Sequence, residues 1–378
     1  MRKVLITGGA GFIGSNFIAY FLQKYPQYEL FNLDSLTYAA DLANLKEVET
    51  NPHYHFIKGD ICDEVLVKEI FDTHTIDSVI HFAAESHVDN SIANPSAFIK
   101  TNVNGTFNLL HQAYLSWFDA PLSPKKDKQN CIFHHISTDE VFGSLEEKGG
   151  YFTESTPYAP NSPYSASKAS SDMLVRSFHH TYGLKTFITN CSNNYGPKQH
   201  DEKLIPTIIR KALREEKIPI YGDGQNVRDW LFVRDHCEGI DKVFHSEFFG
   251  ESFNIGGNCE KKNLEIAKEI CAILDTLVPR KNGKNYASLI EFVQDRAGHD
   301  RRYAIDFSKM SHLFGFKPSG FNANLSQTIN FYIKKYTSIP FSIDSTFNGG
   351  GDKLLILTLC LFYYFLYTSL ILQEREFQ

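Results

Sequence analysis

A short apolar run, Val4 to Thr7, leads directly into Gly8-Gly9-Ala10-Gly11-Phe12-Ile13-Gly14, and a helical pattern then continues to about Lys24. The run has the length and content of a buried parallel strand. In the turn, Gly8 permits a tight bend, Gly11 lets a pyrophosphate come close, and Gly14 lets the helix pack on the strand. The helix N-terminus would then face the phosphates. Glycine spacing alone is weak evidence; the strand–turn–helix setting gives it force. A second strand, Glu29 to Leu33, ends at Asp34. A carboxylate there can bind both hydroxyls of an adenosine ribose and would repel a 2′-phosphate, so the expected cofactor is NAD rather than NADP. The alternative is a turn residue that merely closes the strand.

The alternation continues. His55 to Lys58 is a third strand, followed by Gly59-Asp60-Ile61, with Asp60 placed to meet an adenine. Ser78 to Phe82 is a fourth, followed by Ala83-Ala84-Glu85-Ser86-His87, where small residues let the chain pass close to a cofactor. His87 has no His or Cys partner at ligand spacing, so no metal is expected and the residue is structural or near the substrate. Asn94-Pro95 opens a helix that passes Thr101 and Asn102, and residues 120–130 form a polar surface loop. Strands alternating with helices to about residue 190 predict an α/β fold, a Rossmann-type doubly wound parallel sheet. The 378 residues suffice for one large or two medium domains, and 42% hydrophobic with 22% charged residues is a globular composition. A net charge of -6 implies no general affinity for nucleic acid. Seven scattered cysteines without a CxxC pair fit a reducing compartment, and no signal peptide precedes the first strand. The expected location is the cytoplasm.

Chemistry is concentrated between Ile136 and Lys168. A buried apolar run, Cys131 to Ile136, ends in Ser137-Thr138-Asp139-Glu140, two hydroxyls beside two carboxylates. Tyr164 and Lys168 follow at i,i+4 spacing, which places both on one face of a helix. A nearby ammonium favours the phenolate, so Tyr164 is a candidate base for a sugar hydroxyl despite a reference pKa of about 10. The pentapeptide alone is equally compatible with a surface tyrosine and a solvated lysine. Two adjacent carboxylates in one pocket repel, so one is expected to stay protonated, which separates an acid from a base.

Beyond residue 190 the texture changes. Asn190 to Pro197 is polar, Glu202 to Pro206 opens a helix, and Asp223 to Gln225 forms a turn before a strand that carries Arg228. Asp295 to Arg302 holds a second set of basic residues. Two sets of arginines on separate loops suit a diphosphate; the competing reading is a solvated charged surface. A smaller α/β substrate-binding domain over 191–336 is expected after an NAD-binding domain over 1–190, with part of 228–255 returning to the first.

These segments together name a family. Gly8 to Gly14, Tyr-x-x-x-Lys at 164–168, Ser137 to Gly143, Asn190 to Pro197, Glu202 to Pro206, Arg228 to Leu231 and Gly298 to Tyr303 occur in one order. They resemble the dTDP-glucose 4,6-dehydratase branch of the extended short-chain dehydrogenase/reductases, over residues 2 to about 336. Epimerases of that group lack the Asp-Glu pair. The resemblance implies a nucleotide sugar, dTDP-glucose, that is oxidised at carbon 4, loses water across carbons 5 and 6, and is reduced at carbon 6. Catalytic roles fall to Thr138, Asp139, Glu140, Tyr164 and Lys168. Contacts with NAD fall to Gly8, Gly11, Phe12, Ile13, Gly14, Asp34, Ser35, Leu36, Thr37, Asp60, Ile61, Phe82, Ala83, Ala84, Glu85, Ser86, Thr101 and Asn194, beside Tyr164 and Lys168. Contacts with the nucleotide sugar fall to Ser86, Thr138, Asn193, Lys203, Leu204, Pro219, Ile220, Tyr221, Arg228, Asn263, Asp295, Arg296, Ala297, Gly298 and His299. The chain departs from the family pattern at Phe142, Arg234 and Ala297. The resemblance also implies a homodimer paired through the helix around Pro95 to Leu115 and the helix after Tyr164; apolar Phe98, Phe107 and Leu110 permit it.

The tail, 337–378, has no counterpart in that pattern. Leu354 to Leu372 is nineteen residues without a charge. At about 1.5 Å per residue it reaches roughly 28 Å, near a hydrocarbon core of about 30 Å. A membrane anchor competes with a helix packed on the enzyme, an association segment, and an extension without a selected role. The soluble substrate favours the last.

Overall fold

The computed structural model describes residues 2–295 and 298–337. The chain runs β1 (Lys3–Thr7), α1 (Phe12–Lys24), β2 (Glu29–Asp34), β3 (Tyr54–Lys58), α2 (Glu64–His74) and β4 (Ser78–His81). Next come α3 (Val88–Ala93), α4 (Pro95–Phe98), a π-helical stretch (Ile99–Gly105), α5 (Thr106–Trp117), and the hairpin β5 (Phe118–Ala120) and β6 (Ser123–Pro124). The hairpin occupies part of the segment expected as loop. β7 (Ile132–Thr138), α6 (Pro163–Tyr182), β8 (Thr186–Cys191) and β9 (Asn193–Tyr195) follow. The remainder is α7 (Leu204–Leu213), β10 (Ile218–Tyr221), β11 (Val227–Phe232), α8 (Val233–Phe244), β12 (Ser252–Ile255), β13 (Glu260–Lys262), α9 (Asn263–Leu277), β14 (Ile290–Val293), α10 (Ser308–Phe314) and α11 (Phe321–Thr337).

Seven strands form the main sheet in the order β12-β8-β7-β4-β1-β2-β3, and every neighbouring pair is parallel. Side chains alternate across it. Val4, Ile6, Leu30 and Ile80 face one core, closed by Phe17 and Phe21 of α1 and Ile240 and Phe244 of α8. Leu5, Phe31, Val79 and Phe133 face the other, closed by Phe71 of α2, Leu109 and Trp117 of α5 and Phe178 of α6. Strand order reverses between β1 and β4. That switch point opens a crevice beyond the carboxyl ends of the strands, the usual place for a ligand in such a sheet.

A second layer of structure walls this crevice. β9 runs parallel to β11, which pairs antiparallel with β13, and β10 pairs with β14. Everything up to Tyr336 belongs to one compact unit. Arg296 and Ala297, and the tail including Leu354 to Leu372, lie outside the described residues. Among the described residues, no helix is long and apolar enough to cross a membrane.

Candidate active site

The turn after β1 shows why its first residue is glycine. Gly8 has φ +72°, and a Cβ on it would stand 2.7 Å from the Ala83 backbone. A side chain would therefore wedge β1 from β4 at the mouth of the crevice. The amide of Gly9 donates to Asn32 Oδ1 (3.0 Å), and that of Ala10 donates to Asp34 Oδ2 (2.9 Å). The other Asp34 oxygen accepts from the Leu36 amide at 2.8 Å. Both carboxylate oxygens are thus aimed by backbone, and each keeps a lone pair for a hydroxyl. Burial raises this carboxyl, while the two amides hold it down.

A cleft of about 410 Å³ runs from this turn to the end of β7. Gly8, Gly11, Phe12, Ile13, Gly14, Asp34, Ser35, Thr37, Asp60, Ile61, Phe82, Ala83, Ala84, Glu85, Ser86 and Thr101 line it, and it ends against Thr138, Asp139, Glu140, Tyr164, Lys168 and Asn194. Leu36 does not line it; its side chain packs on the main core, and only its amide serves the site by holding Asp34. The glycine turn at a helix start and the paired carboxylate oxygens at the end of β2 fit the phosphates and ribose of a dinucleotide.

A second cleft, about 360 Å³, opens on the other side of Glu140. Ser86, Asn193, Lys203, Leu204, Pro219, Ile220, Tyr221, Arg228, Asn263, Gly298 and His299 line it. Asp295 does not; its carboxylate lies 2.6 Å from His299 Nδ1 and holds that ring from behind. The expectation for the second basic cluster needs correction as well. Arg301 is paired with Glu147 and Asp223, and Arg302 with Glu260, so both tie loops together rather than facing the cleft. Arg228 does face it, stacked 4.3 Å over the Tyr303 ring, with Nη2 on the Asp300 carbonyl at 2.9 Å. Glu140, Ser86, Asn193, Asn194 and Lys203 belong to both clefts, which therefore meet at Glu140. The sequence singles out neither Gln199 nor Glu202 nor Tyr303, although all three line one cleft or both. For Glu202 and Tyr303 the signal lay in the segments Glu202 to Pro206 and Gly298 to Tyr303, which the family resemblance already used; Gln199 carried none.

Strand β7 delivers the reactive groups. Thr138 ends it and caps the short 3-10 turn Asp139–Phe142, accepting the Glu140 amide on its hydroxyl at 3.3 Å. This turn aims the two adjacent carboxylates differently. Asp139 is 1% exposed and its Oδ2 has no hydrogen-bond partner. Burial first, then the charges of Glu140 and Asp229, pushes its carboxyl well above the usual range, which favours the protonated form. Tyr164 and Lys168 sit on α6, which starts with a Ser162–Ser165 capping box and Pro163 in its first turn. Here the expected electrostatics is reversed. Burial and the Glu140 charge push the Tyr164 phenol well above its ordinary value, opposed by its hydrogen bond with Thr138. The Lys168 ammonium donates instead to the Ile136 carbonyl (2.8 Å) and lies 3.2 Å from His135 Nε2.

The fold and the clefts define a dinucleotide-dependent enzyme with a buried carboxyl beside a second carboxylate, and comparison with known proteins gives the same class. The family model for GDP-mannose 4,6-dehydratase matches residues 5–328. A dTDP-glucose 4,6-dehydratase of Xanthomonas campestris pv. campestris is 51% identical over 348 residues, covering 92% of this chain and 97% of the relative. That of Escherichia coli is 47% identical over 359 residues, covering 92% and 98%. Among solved structures, a dTDP-glucose 4,6-dehydratase of Bacillus anthracis in complex with NAD is similar, with a TM-score of 0.77 and 43% identity over 89% of this chain and 98% of that one. A UDP-glucose 4-epimerase of Thermotoga maritima reaches a TM-score of 0.76 at only 26% identity, over 88% and 99%. The chain belongs to the nucleotide-sugar 4,6-dehydratase family that this model describes.

Proposed function

We infer that this enzyme converts dTDP-glucose to dTDP-4-keto-6-deoxyglucose, a hydro-lyase reaction that uses NAD. The observation that carries the reading is the buried Asp139, its carboxyl pushed up by that burial, next to Glu140 at the seam of the two clefts. Curated relatives at about half identity over nine-tenths of the chain bear that activity. An epimerase has no water to eliminate and no use for a buried acid beside a second carboxylate. The division of labour follows the chain: residues 1–190 hold the cofactor, and 191–336 supply most of the nucleotide-sugar wall.

NAD held by the Gly8 to Gly14 turn and Asp34 would supply an acceptor for the hydride of carbon 4 and a donor of hydride to carbon 6. Tyr164, as the phenolate, accepts the proton of the 4-hydroxyl. The Thr138 hydroxyl favours that form against burial and the Glu140 charge, and Lys168 stands one turn along α6 with its positive charge, so the rate rises with pH as the phenol ionises. The ketone at carbon 4 acidifies the carbon 5 proton; Glu140 removes it and returns it to carbon 5 when the hydride has reached carbon 6. Asp139 gives its proton to the departing 6-hydroxyl, which leaves as water. Arg228 and Lys203 supply positive charge for the diphosphate.

The protein acts as a homodimer in the cytoplasm. Six free thiols among the described residues suit a reducing compartment. Exposed Ile99, Phe107 and Met173 line the helices expected to pair. Phe98 and Leu110, expected to help, are buried within the subunit instead. Incubating the protein with a panel of nucleotide sugars tests the substrate. Development of the 4-keto-6-deoxy chromophore in base with dTDP-glucose above the UDP- and GDP-sugars is the expected result; preference for another base overturns the assignment.

A further inference from the structure

Behind the Tyr164 and Lys168 face, α6 carries an ionisable group that the steps above leave unused. Asp172 stands one turn beyond Lys168 and is 1% exposed. Its Oδ2 accepts from Ser137 Oγ (2.8 Å), the Tyr158 hydroxyl (2.9 Å) and Asn190 Nδ2 (3.4 Å). Its Oδ1 lies 3.3 Å from His135 Nε2, the same ring nitrogen that lies 3.2 Å from Lys168 Nζ. Asn190 also donates to the Thr138 carbonyl at 3.1 Å. One carboxylate is thereby tied to the ammonium and to the ends of both β7 and β8.

We propose that Asp172 is a positioning residue for the dehydration, holding the Lys168 ammonium by its charge across the edge of the His135 ring and fixing the strand end that presents Thr138 and Asp139 through Ser137 and Asn190. The proposal rests on the assignment of Lys168 to the catalytic set. An isolated carboxylate at this depth would cost several kcal/mol, and the ammonium is the opposite charge that offsets it. The charges respond to each other accordingly. Burial brings Lys168 down to about 8, and Asp172 is the largest influence holding it up, followed by Cys191 of β8. Burial lifts Asp172 to about 6, and Lys168 is the largest influence holding it down, followed by its bonds from Ser137, Tyr158 and Asn190. His135 is kept neutral by burial and by the same ammonium. The remaining titratable neighbours are His81 of β4, whose ring centroid is 5.1 Å from that of His135, and Tyr164 and Arg176 of α6 itself.

Asp172→Asn tests this, because the amide keeps an acceptor oxygen for Ser137 and Tyr158 and loses only the charge. Lys168 then gives up its proton at lower pH. The alkaline limb of kcat/KM moves down by about one pH unit or more, the size expected when an opposite charge is removed. At mildly alkaline pH, kcat falls about tenfold while KM for dTDP-glucose changes by less than about twofold. A lesion in packing alone would lower activity equally at every pH; an unmoved limb in a folded variant overturns the proposal. Should Asp172→Asn not fold, His135→Gln, which removes the bridging ring between the two charges and leaves the three donors to Asp172, is read in the same way. Lys168→Ala run in parallel separates the two readings. Full activity in Lys168→Ala removes Lys168 from the reaction and the proposal with it. Loss of activity there, with a wild-type profile in Asp172→Asn or in the bridge variant, removes only the role of Asp172.

Discussion

Asp139 is buried and Glu140 half-buried, and on the proposed mechanism that difference divides their work. Asp139→Asn, unable to donate a proton, is expected to oxidise carbon 4 and exchange the carbon 5 proton while eliminating water at least about 100-fold more slowly. Deuterium uptake at carbon 5, read by mass spectrometry, checks it; equal loss of exchange and elimination contradicts the split. Glu140→Gln should lose both exchange and elimination, by at least about 100-fold, with NAD binding retained in a fluorescence titration. The carboxylate pair and its repulsion were legible from two adjacent letters. What sets the acid was not: Asp229 contributes from a strand 90 residues further on, a distance no local pattern spans. Nor could the spacing of Tyr164 and Lys168 reveal that His135 and a backbone carbonyl hold the ammonium.

Among the elements, α1 and α8 illustrate how the nucleotide-binding face is kept rigid. Asp241 of α8 is 2% exposed and accepts from Tyr20 (2.8 Å), Lys24 (2.6 Å) and Tyr25 (3.2 Å) across the helix pair, with His245, just past the end of its own helix, at 2.8 Å. Burial alone would raise this carboxyl, but the bonds from His245, Lys24 and Tyr20 bring it down to about 2. A folded value below the unfolded one means stability that is present above the unfolded value of about 4 and lost as pH falls through the folded one. Asp241→Asn should therefore cost about 2 kcal/mol at neutral pH, and the difference from wild type should vanish in acid-denaturation midpoints near pH 2. The sequence announced β1, its turn and α1 because their signals are local. It did not announce β9, whose three residues become a strand only by pairing with Trp230–Phe232. The π-helical stretch at Ile99–Gly105 is equally silent: it sets Asn102 to bond the Glu85 backbone at 2.9 and 3.0 Å and Ser167 at 2.8 Å.

At the scale of the molecule, the doubly wound sheet followed from the alternation of elements, since each parallel strand needs a crossover to reach its neighbour. The second cleft did not, because its wall is gathered from at least seven separate segments between Ser86 and His299. The pairing of two copies is the remaining property at this scale. Light scattering on a chain ending near Tyr336 should give twice the subunit mass, and Met173→Glu should shift it towards the monomer by placing charge on the apolar face; a monomer mass for the unsubstituted chain would refute the dimer.

The strand that completes the main sheet, β12, is encoded after much of the substrate wall, and it covers the open edge of β8. On a ribosome, β8 emerges about 60 residues before its partner. At roughly 5–20 residues per second, the nascent chain spends about 3–12 s with that apolar edge uncovered. An unpaired edge of this kind is a template for pairing with other chains. Synthesis that stalls in this interval leaves no smaller enzyme behind, only an adhesive intermediate for chaperones to hold.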